Sequence, residues 1–394
     1  MKNFKARFFL YLFLFACFNM FLYVWMVGFH PLIPFSKTNY AYNAHHYLKD
    51  PRIENPSSFS FLRALGEFDG QWYLRIADKG YPFHPAKVQD VNNHQIMDGL
   101  TYAFFPLYPL SVTLVNFLFH QVELSAFIMS NVFLLLDFVA LFLLTKSISS
   151  EQTALKTVCL FFLYPLSIFY HTYFTEGLYL LLLLGFAYFL LKKNITLATL
   201  CLAFLNVTKA TGWLLDIYLL WLFWKAYKEK SYSLVQLIGL FFILILPSVL
   251  WILFCWYQTG NPVYFVSIRS NWSHVGYFAI FHNLSLFLKF DLLPFHYFHS
   301  SKLDILSIFT TGVLLFLSVK KIPSQLWWIS FCLFLSPLLV TDTMSYSRYQ
   351  IVSFPLFFYL AQVLPKKYVL LLSSFFFVLL GLTALLLVNW YWLG

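Results

Sequence analysis

The 394-residue chain is 60% apolar and only 11% charged, with a mean hydropathy of +0.72 and a formal net charge of +10. Soluble globular domains carry about a quarter of their residues as charged side chains, so the composition excludes a soluble enzyme, and no polar stretch is long enough for a separate soluble domain. The surplus of cations says little until their positions along the chain are sorted.

Lys2, Lys5 and Arg7 precede an apolar run over residues 8–29. That run is too long for a signal-peptide core and has no small-residue cleavage site, so it is expected to stay in place as a first helix. Apolar segments with the composition of bilayer-crossing helices follow at about 124–145, 156–171, 176–191, 195–209, 212–225, 234–257, 303–319, 325–341, 346–363 and 367–391. One more, at about 102–119, opens on Phe105-Pro106-Leu107-Tyr108-Pro109. Prolines interrupt helical hydrogen bonding where a true crossing would begin, so this segment is expected to lie on, or dip into, the outer surface. With it set aside, Lys2, Lys5, Arg7, Lys146, Lys156, Lys192, Lys193, Lys225, Lys228, Lys230, Lys320, Lys321, Lys366 and Lys367 all fall on one side, with Glu151 and Glu229 as the acids among them. Short basic loops belong in the cytoplasm. The expected architecture is an all-α polytopic membrane protein: one membrane-embedded domain over 1–394, about eleven crossings, and a large first outer loop at about 30–123 that contains juxtamembrane helices. The five cysteines sit inside apolar runs with no CxxC or Cys/His pattern, so neither a disulfide nor a metal site is expected from them.

That sorting gathers the reactive polar residues on the non-cytoplasmic side. In the first loop, residues 69–80 read as a short amphipathic helix, with Asp69 at the N-cap and Gly80 at the stop. The bland role for Asp69 is to cap a surface helix; the chemical one is a fixed carboxylate able to take a proton. Glu176 opens a membrane helix, where the helix dipole favours an acid, yet an acid at the edge of the hydrocarbon is costly unless paired or useful. Lys209, Arg269 with Trp272, and Arg348 with Tyr349 stand in outward-facing loops where cations are otherwise disfavoured. Lysine and arginine there either snorkel to lipid head groups or gather a phosphate, arginine as a bidentate fork. Asp137 lies well inside a crossing and is expected to hydrogen-bond a neighbouring helix. The histidine pairs His45/His46 and His296/His299 lack a third ligand. No GxGxxG or Walker loop is present and nothing points to nucleic acid, so any activated substrate comes from the membrane or the outer compartment.

The run from Asp69 to Tyr81, then Phe105-Pro106-Leu107-Tyr108-Pro109, then Tyr164-Pro165-Leu166-Ser167-Ile168-Phe169 continuing to Thr175-Glu176, resembles the phosphatidylinositol-glycan class V mannosyltransferases, the GPI mannosyltransferase 2 enzymes and their bacterial relatives. Thr259-Gly260-Asn261-Pro262, Trp272, and Ser347-Arg348-Tyr349 to Phe354-Pro355 follow in the same order, so the resemblance extends over about 61–360. It implies a GT-C fold, no cofactor, a polyprenyl-phosphate sugar donor, a lipid-linked or glycan acceptor, and inversion at the anomeric carbon. It assigns Asp69 as the base on the acceptor hydroxyl, Glu176 as the acid that orients donor or acceptor, and Arg348 as the cation facing the leaving phosphate. Two departures bear on sugar and acceptor identity: Phe68 stands where the family has tryptophan before the acid, and Lys209 where it tends to have arginine.

The expectation is therefore a glycosyltransferase, mannose-transferring by resemblance, acting on the outer face of a bacterial inner membrane or, alternatively, within the endoplasmic reticulum membrane. Inverting displacement places base and leaving group on opposite faces of the sugar, so Asp69 is expected across a cleft from the cations. The competing reading is a transporter or lipid flippase built around Asp137. A cleft joining Asp69, Glu176 and Arg348 separates the two.

Overall fold

The structure is a computed structural model that describes residues 2–43, 59–89, 95–268, 302–340 and 345–393. Its helices, in chain order, are α1 (Lys2–Phe29), α2 (Lys37–Asn43), α3 (Phe61–Ala64), α4 (Asp69–Lys79), α5 (Leu107–Phe119), α6 (Val122–Ile148), α7 (Glu151–Phe162), α8 (Glu176–Leu191) and α9 (Ile195–Asn206). They continue with α10 (Trp213–Lys228), α11 (Leu234–Thr259), α12 (Tyr264–Ser267), α13 (Lys302–Leu317), α14 (Ser324–Val340), α15 (Tyr346–Tyr349), α16 (Phe354–Val363) and α17 (Lys366–Leu387). Among the described residues a two-stranded antiparallel ladder, β1 (Lys87–Gln89) with β2 (Gln95–Met97), stands in the first loop, where juxtamembrane helices were expected.

This is an all-α membrane protein. Among the described residues, four helices are long and apolar enough to cross a bilayer: Phe4–Leu32, Val122–Ile148, Leu234–Thr259 and Lys366–Leu387. A bent pair, α7 with the 3-10 helix Pro165–His171, makes a fifth candidate. Each of the eleven apolar segments expected from the sequence is helical, but the others are too short to cross about 30 Å of hydrocarbon as continuous helices. The segment expected as one span over 156–171 instead turns by 84°. Pro165 is the cause: it opens the second helix, lacks an N–H to continue the first, and holds Tyr164 in an extended conformation (φ −56°, ψ 137°).

Contacts define two ends of the bundle. At one end Arg7 donates to both carboxylate oxygens of Glu151 at 2.9 and 3.0 Å, and Lys146 sits over the Phe4 ring. There too, Lys156 Nζ donates to the carbonyls of Leu364 and Ala361, where α16 ends and leaves acceptors without helical partners. At the other end α1 finishes beside the segment after α17: Asn389 Nδ2 donates to His30 O, and Ser36 N donates to Asn389 O. The cations Arg7, Lys146 and Lys156 thus share one end, as the sorting of charges expected. The first-loop helices pack on the opposite end.

Segment 102–119 becomes a 3-10 turn over Asp98–Ala103 followed by α5, thirteen residues or about 20 Å long. One face of α5 rests on α4 and α6 through Tyr108 and Val112, while Leu114, Phe117 and Leu118 are exposed. Asp137, in the middle of α6, is fully buried, and neither carboxylate oxygen has a hydrogen-bond partner. The helix-to-helix hydrogen bond expected for it is not made.

Candidate active site

α4 begins at Asp69 and ends at Gly80, whose positive φ (+71°) suits a residue without a Cβ. Asp69 is the first helical residue; Phe68 occupies the N-cap position and makes no side-chain cap hydrogen bond. The capping role read from the spacing is therefore not the one Asp69 plays. Phe68 has φ +51°, a conformation that costs a bulky residue on the order of 1–3 kcal/mol and persists where the surroundings over-determine it. Here the surroundings are specific. Tyr173 N donates to Leu65 O at 3.1 Å, and Gly66 lies so close to Leu74 and Tyr173 that a Cβ would come within 2.7 and 2.9 Å of their side chains. The loop leading to Asp69 is thus pressed onto the turn that leads to Glu176. The amphipathic face of α4 completes the docking: Trp72 stacks on Phe104, Tyr73 meets Tyr108 edge-on, and Thr113 Oγ1 donates to Ala77 O.

Glu176 opens α8, as expected. Lys209 stands in extended backbone between α9 and the 3-10 turn Ala210–Gly212. Arg348 lies on α15, which is tied to α13: Asp304 Oδ1 accepts from both the backbone N and the hydroxyl of Ser347, at 2.8 and 2.7 Å. These four charged residues, from four separate stretches of sequence, meet. Arg348 Nη1 donates to Asp69 Oδ2 at 2.7 Å, its Nε lies 3.7 Å from Glu176 Oε1, and Lys209 Nζ donates to that same oxygen at 2.8 Å. The order Asp69, Arg348, Glu176, Lys209 alternates in sign and sums to zero. Glu176 and Arg348 form the floor, with side chains 2% and 7% exposed, while Lys209 (18%) and Asp69 (27%) form the accessible edge. Tyr349 packs under Lys209, its ring 4.5 Å from Nζ, and Arg348 is ringed by Phe169, Phe174, Tyr349 and Trp392. Burial and the charges of Asp69 and Glu176 push the Tyr73 phenol well above its ordinary value, so it stays protonated beside them.

The expected separation between Asp69 and the cations is not seen, because Asp69 is in direct contact with Arg348. A buried guanidinium needs a counter-charge at hydrogen-bonding distance, and Asp69 supplies it. Arg269 and Trp272 lie outside the described residues, as do the two histidine pairs. Among the described residues no three metal-ligating side chains converge.

Three contributors had not been singled out. Asp304 carried the same signal that flagged Glu176, an acid at the edge of an apolar run. Glu67 is buried two residues before Asp69 and accepts from Trp390 N at 3.2 Å; burial pushes its carboxyl well above the usual range. Trp392 follows the final apolar helix with nothing in the local pattern to mark it. Neither family models, curated proteins nor solved structures yield a match to this chain.

Proposed function

We propose that the protein is an integral membrane glycosyltransferase that moves a sugar from a polyprenyl phosphate to an acceptor hydroxyl, with inversion. The sugar is mannose if the motif resemblance extends to specificity. In this reading the fold is of the GT-C kind, with the eleven apolar segments crossing the membrane, several of them as short or broken helices, and the site on the extracytoplasmic face of a bacterial cell membrane. The observation that carries it is the convergence of Asp69, Glu176 and Arg348, from three separate motifs, with Lys209, singled out as an outward-facing cation, into one network. Further support comes from the position of Arg7, Lys146 and Lys156 at the opposite end of the bundle, the end that the positive-inside rule would make cytoplasmic.

The chemistry asks little of the protein beyond position and charge. A lipid phosphate is already a good leaving group, so no general acid is required. The acceptor oxygen forms its bond to the anomeric carbon as the bond from that carbon to the phosphate oxygen breaks. The acceptor proton goes to Asp69, and the electron pair leaves with the phosphate, next to Arg348 and Lys209. Arg348 is already paired with Asp69. A phosphate that engages the guanidinium fork bidentately exchanges for Asp69, and inversion then requires the freed carboxylate, at the accessible edge of the site, to reach the sugar from the face opposite that phosphate. Glu176, held by both cations, keeps the floor in place through that exchange. The transporter reading needs a cavity around Asp137, whereas Asp137 is packed against Gly177, immediately after the network's own Glu176.

The test is direct. Purified protein with polyprenyl-phosphate mannose and a lipid extract from its own source is expected to give transfer. Asp69→Asn should abolish it while the protein still inserts, at a lower Tm because the change also strands the Arg348 guanidinium. Substantial turnover by that variant would remove Asp69 from the role of base, and absence of transfer with any polyprenyl-phosphate sugar would remove the class.

A further inference from the structure

The guanidinium of Arg348 is held by few polar contacts for so buried a charge. One strong hydrogen bond reaches Asp69, the approach to Glu176 is 3.7 Å, and Nε has no hydrogen-bond partner. Aromatic rings wall it in, of which Trp392 is the nearest, with the guanidinium carbon 4.9 Å from the ring centroid. A guanidinium at such a distance is attracted to an aromatic face, and packing against it restricts where the guanidinium can sit.

Trp392 is placed with care. Four hydrogen bonds pin the two residues that open its segment: Ser36 N to Asn389 O, Asn389 Nδ2 to His30 O, Asn39 Nδ2 to Trp390 O at 2.8 Å, and Trp390 N to Glu67 Oε2. Trp390 is buried and adopts φ +63°, a second left-handed non-glycine residue at this site. Glu67 and Phe68 precede Asp69 directly, and the Phe68 ring packs on both Trp390 and Trp392, with centroids 5.0 and 4.9 Å away. Residues 389–392 therefore touch the acid's loop with one end and the arginine with the other.

We propose that Trp392 is a positioning residue that sets Arg348 against Asp69, with segment 389–392 as the ruler between the two. This does not depend on the reaction assigned to the site. The test is the thermodynamic coupling of Asp69 and Arg348, measured by thermal unfolding of the full chain in detergent micelles. Asp69→Asn, Arg348→Gln and the double variant are compared in the parent, in Trp392→Phe and in Trp392→Ala. In the parent, the double variant is expected to lower Tm by clearly less than the sum of the singles. In Trp392→Ala that difference should fall by at least half, and in Trp392→Phe it should return. Trp224→Ala, a control far from the site, should leave it unchanged. If Trp392→Ala does not fold, Asn39→Ala loosens the same segment without touching the ion pair and should weaken the coupling in the same direction. Undiminished coupling in Trp392→Ala, or in Asn39→Ala where that variant stands in, overturns the proposal, as does equal loss in the Trp224 control. A failed transfer assay leaves this measurement intact, so the two ideas can fall separately.

Discussion

Replacing Glu176 by glutamine removes one negative charge from beneath two cations while keeping the side chain's shape. At 2.8 and 3.7 Å, with an effective dielectric near 20, the gross attractions to Lys209 and Arg348 are about 6 and about 4.5 kcal/mol. Desolvation of a side chain only 2% exposed offsets much of that, and breaking a buried pair by removing one partner typically costs about 3–5 kcal/mol. The amide oxygen can still accept from Lys209, which places Glu176→Gln near the bottom of that range, about 3 kcal/mol. Chemical unfolding in mixed micelles reads this as a lower midpoint at unchanged slope. The partner experiment is Lys209→Met with Glu176→Gln. Removing both charges together should cost at least 1 kcal/mol less than the two singles summed, because neither then leaves the other stranded. A Glu176→Gln variant within about 0.5 kcal/mol of the parent, or strict additivity in the double variant, would refute the view that these charges hold one another in place.

The Glu67 carboxyl, raised by burial, binds its proton more tightly when folded than when unfolded. Its contribution to stability is therefore greatest at low pH and declines as pH rises from the ordinary value of 4.5 toward the raised folded value. Glu67→Gln should flatten that part of the stability–pH curve, and an unchanged slope would show that the proton is not held there. Gly66→Val should cost about 1–3 kcal/mol by overpacking against Leu74 and Tyr173, with a matching loss of transfer because the loop carries Asp69; unfolding and transfer assays check both. Asp304→Ala strips the acceptor from two buried donors of Ser347, at about 1–3 kcal/mol for each left unsatisfied. It should reduce binding of a polyprenyl phosphate to the purified protein more than Asp304→Asn, which keeps an acceptor.

Much of the fold could be read from the chain because the bilayer imposes a strong pattern: apolar length marked the helices, and lysine placement marked the end to which Arg7, Lys146 and Lys156 belong. The bend at Pro165 was hidden because hydropathy continues across the proline although the hydrogen-bonding pattern does not. At the site, Glu176, Lys209 and Arg348 were visible as charges out of place. Asp69 was visible too, but with the wrong local role, since a helix-opening acid and a capping acid differ by one residue of backbone that spacing does not resolve. The Asp69–Arg348 contact spans 279 residues, and pairing at that separation leaves no periodic trace. The aromatic lining is hard to read for a different reason: in a chain with 49 phenylalanines and 12 tryptophans, one more tryptophan is not a signal.

The turn of 84° at Pro165 also bears on how far the charged cluster stands from the opposite end of the bundle. From the end that holds Glu151 and Lys156, twelve residues of α7 climb about 18 Å before the chain turns sideways. Phe169, on that lateral stretch, lies under Arg348. α8 descends from Glu176 through sixteen residues, about 24 Å, to the level of Lys192, and α9 climbs about 18 Å toward Lys209. These lengths fall short of hydrocarbon about 30 Å thick, so under the proposed topology the four charges lie below the far surface of the bilayer. A head group reaching them has to sink below its neighbours, or the bilayer has to thin around this part of the protein. Under that topology, either way, the membrane itself becomes one wall of the site.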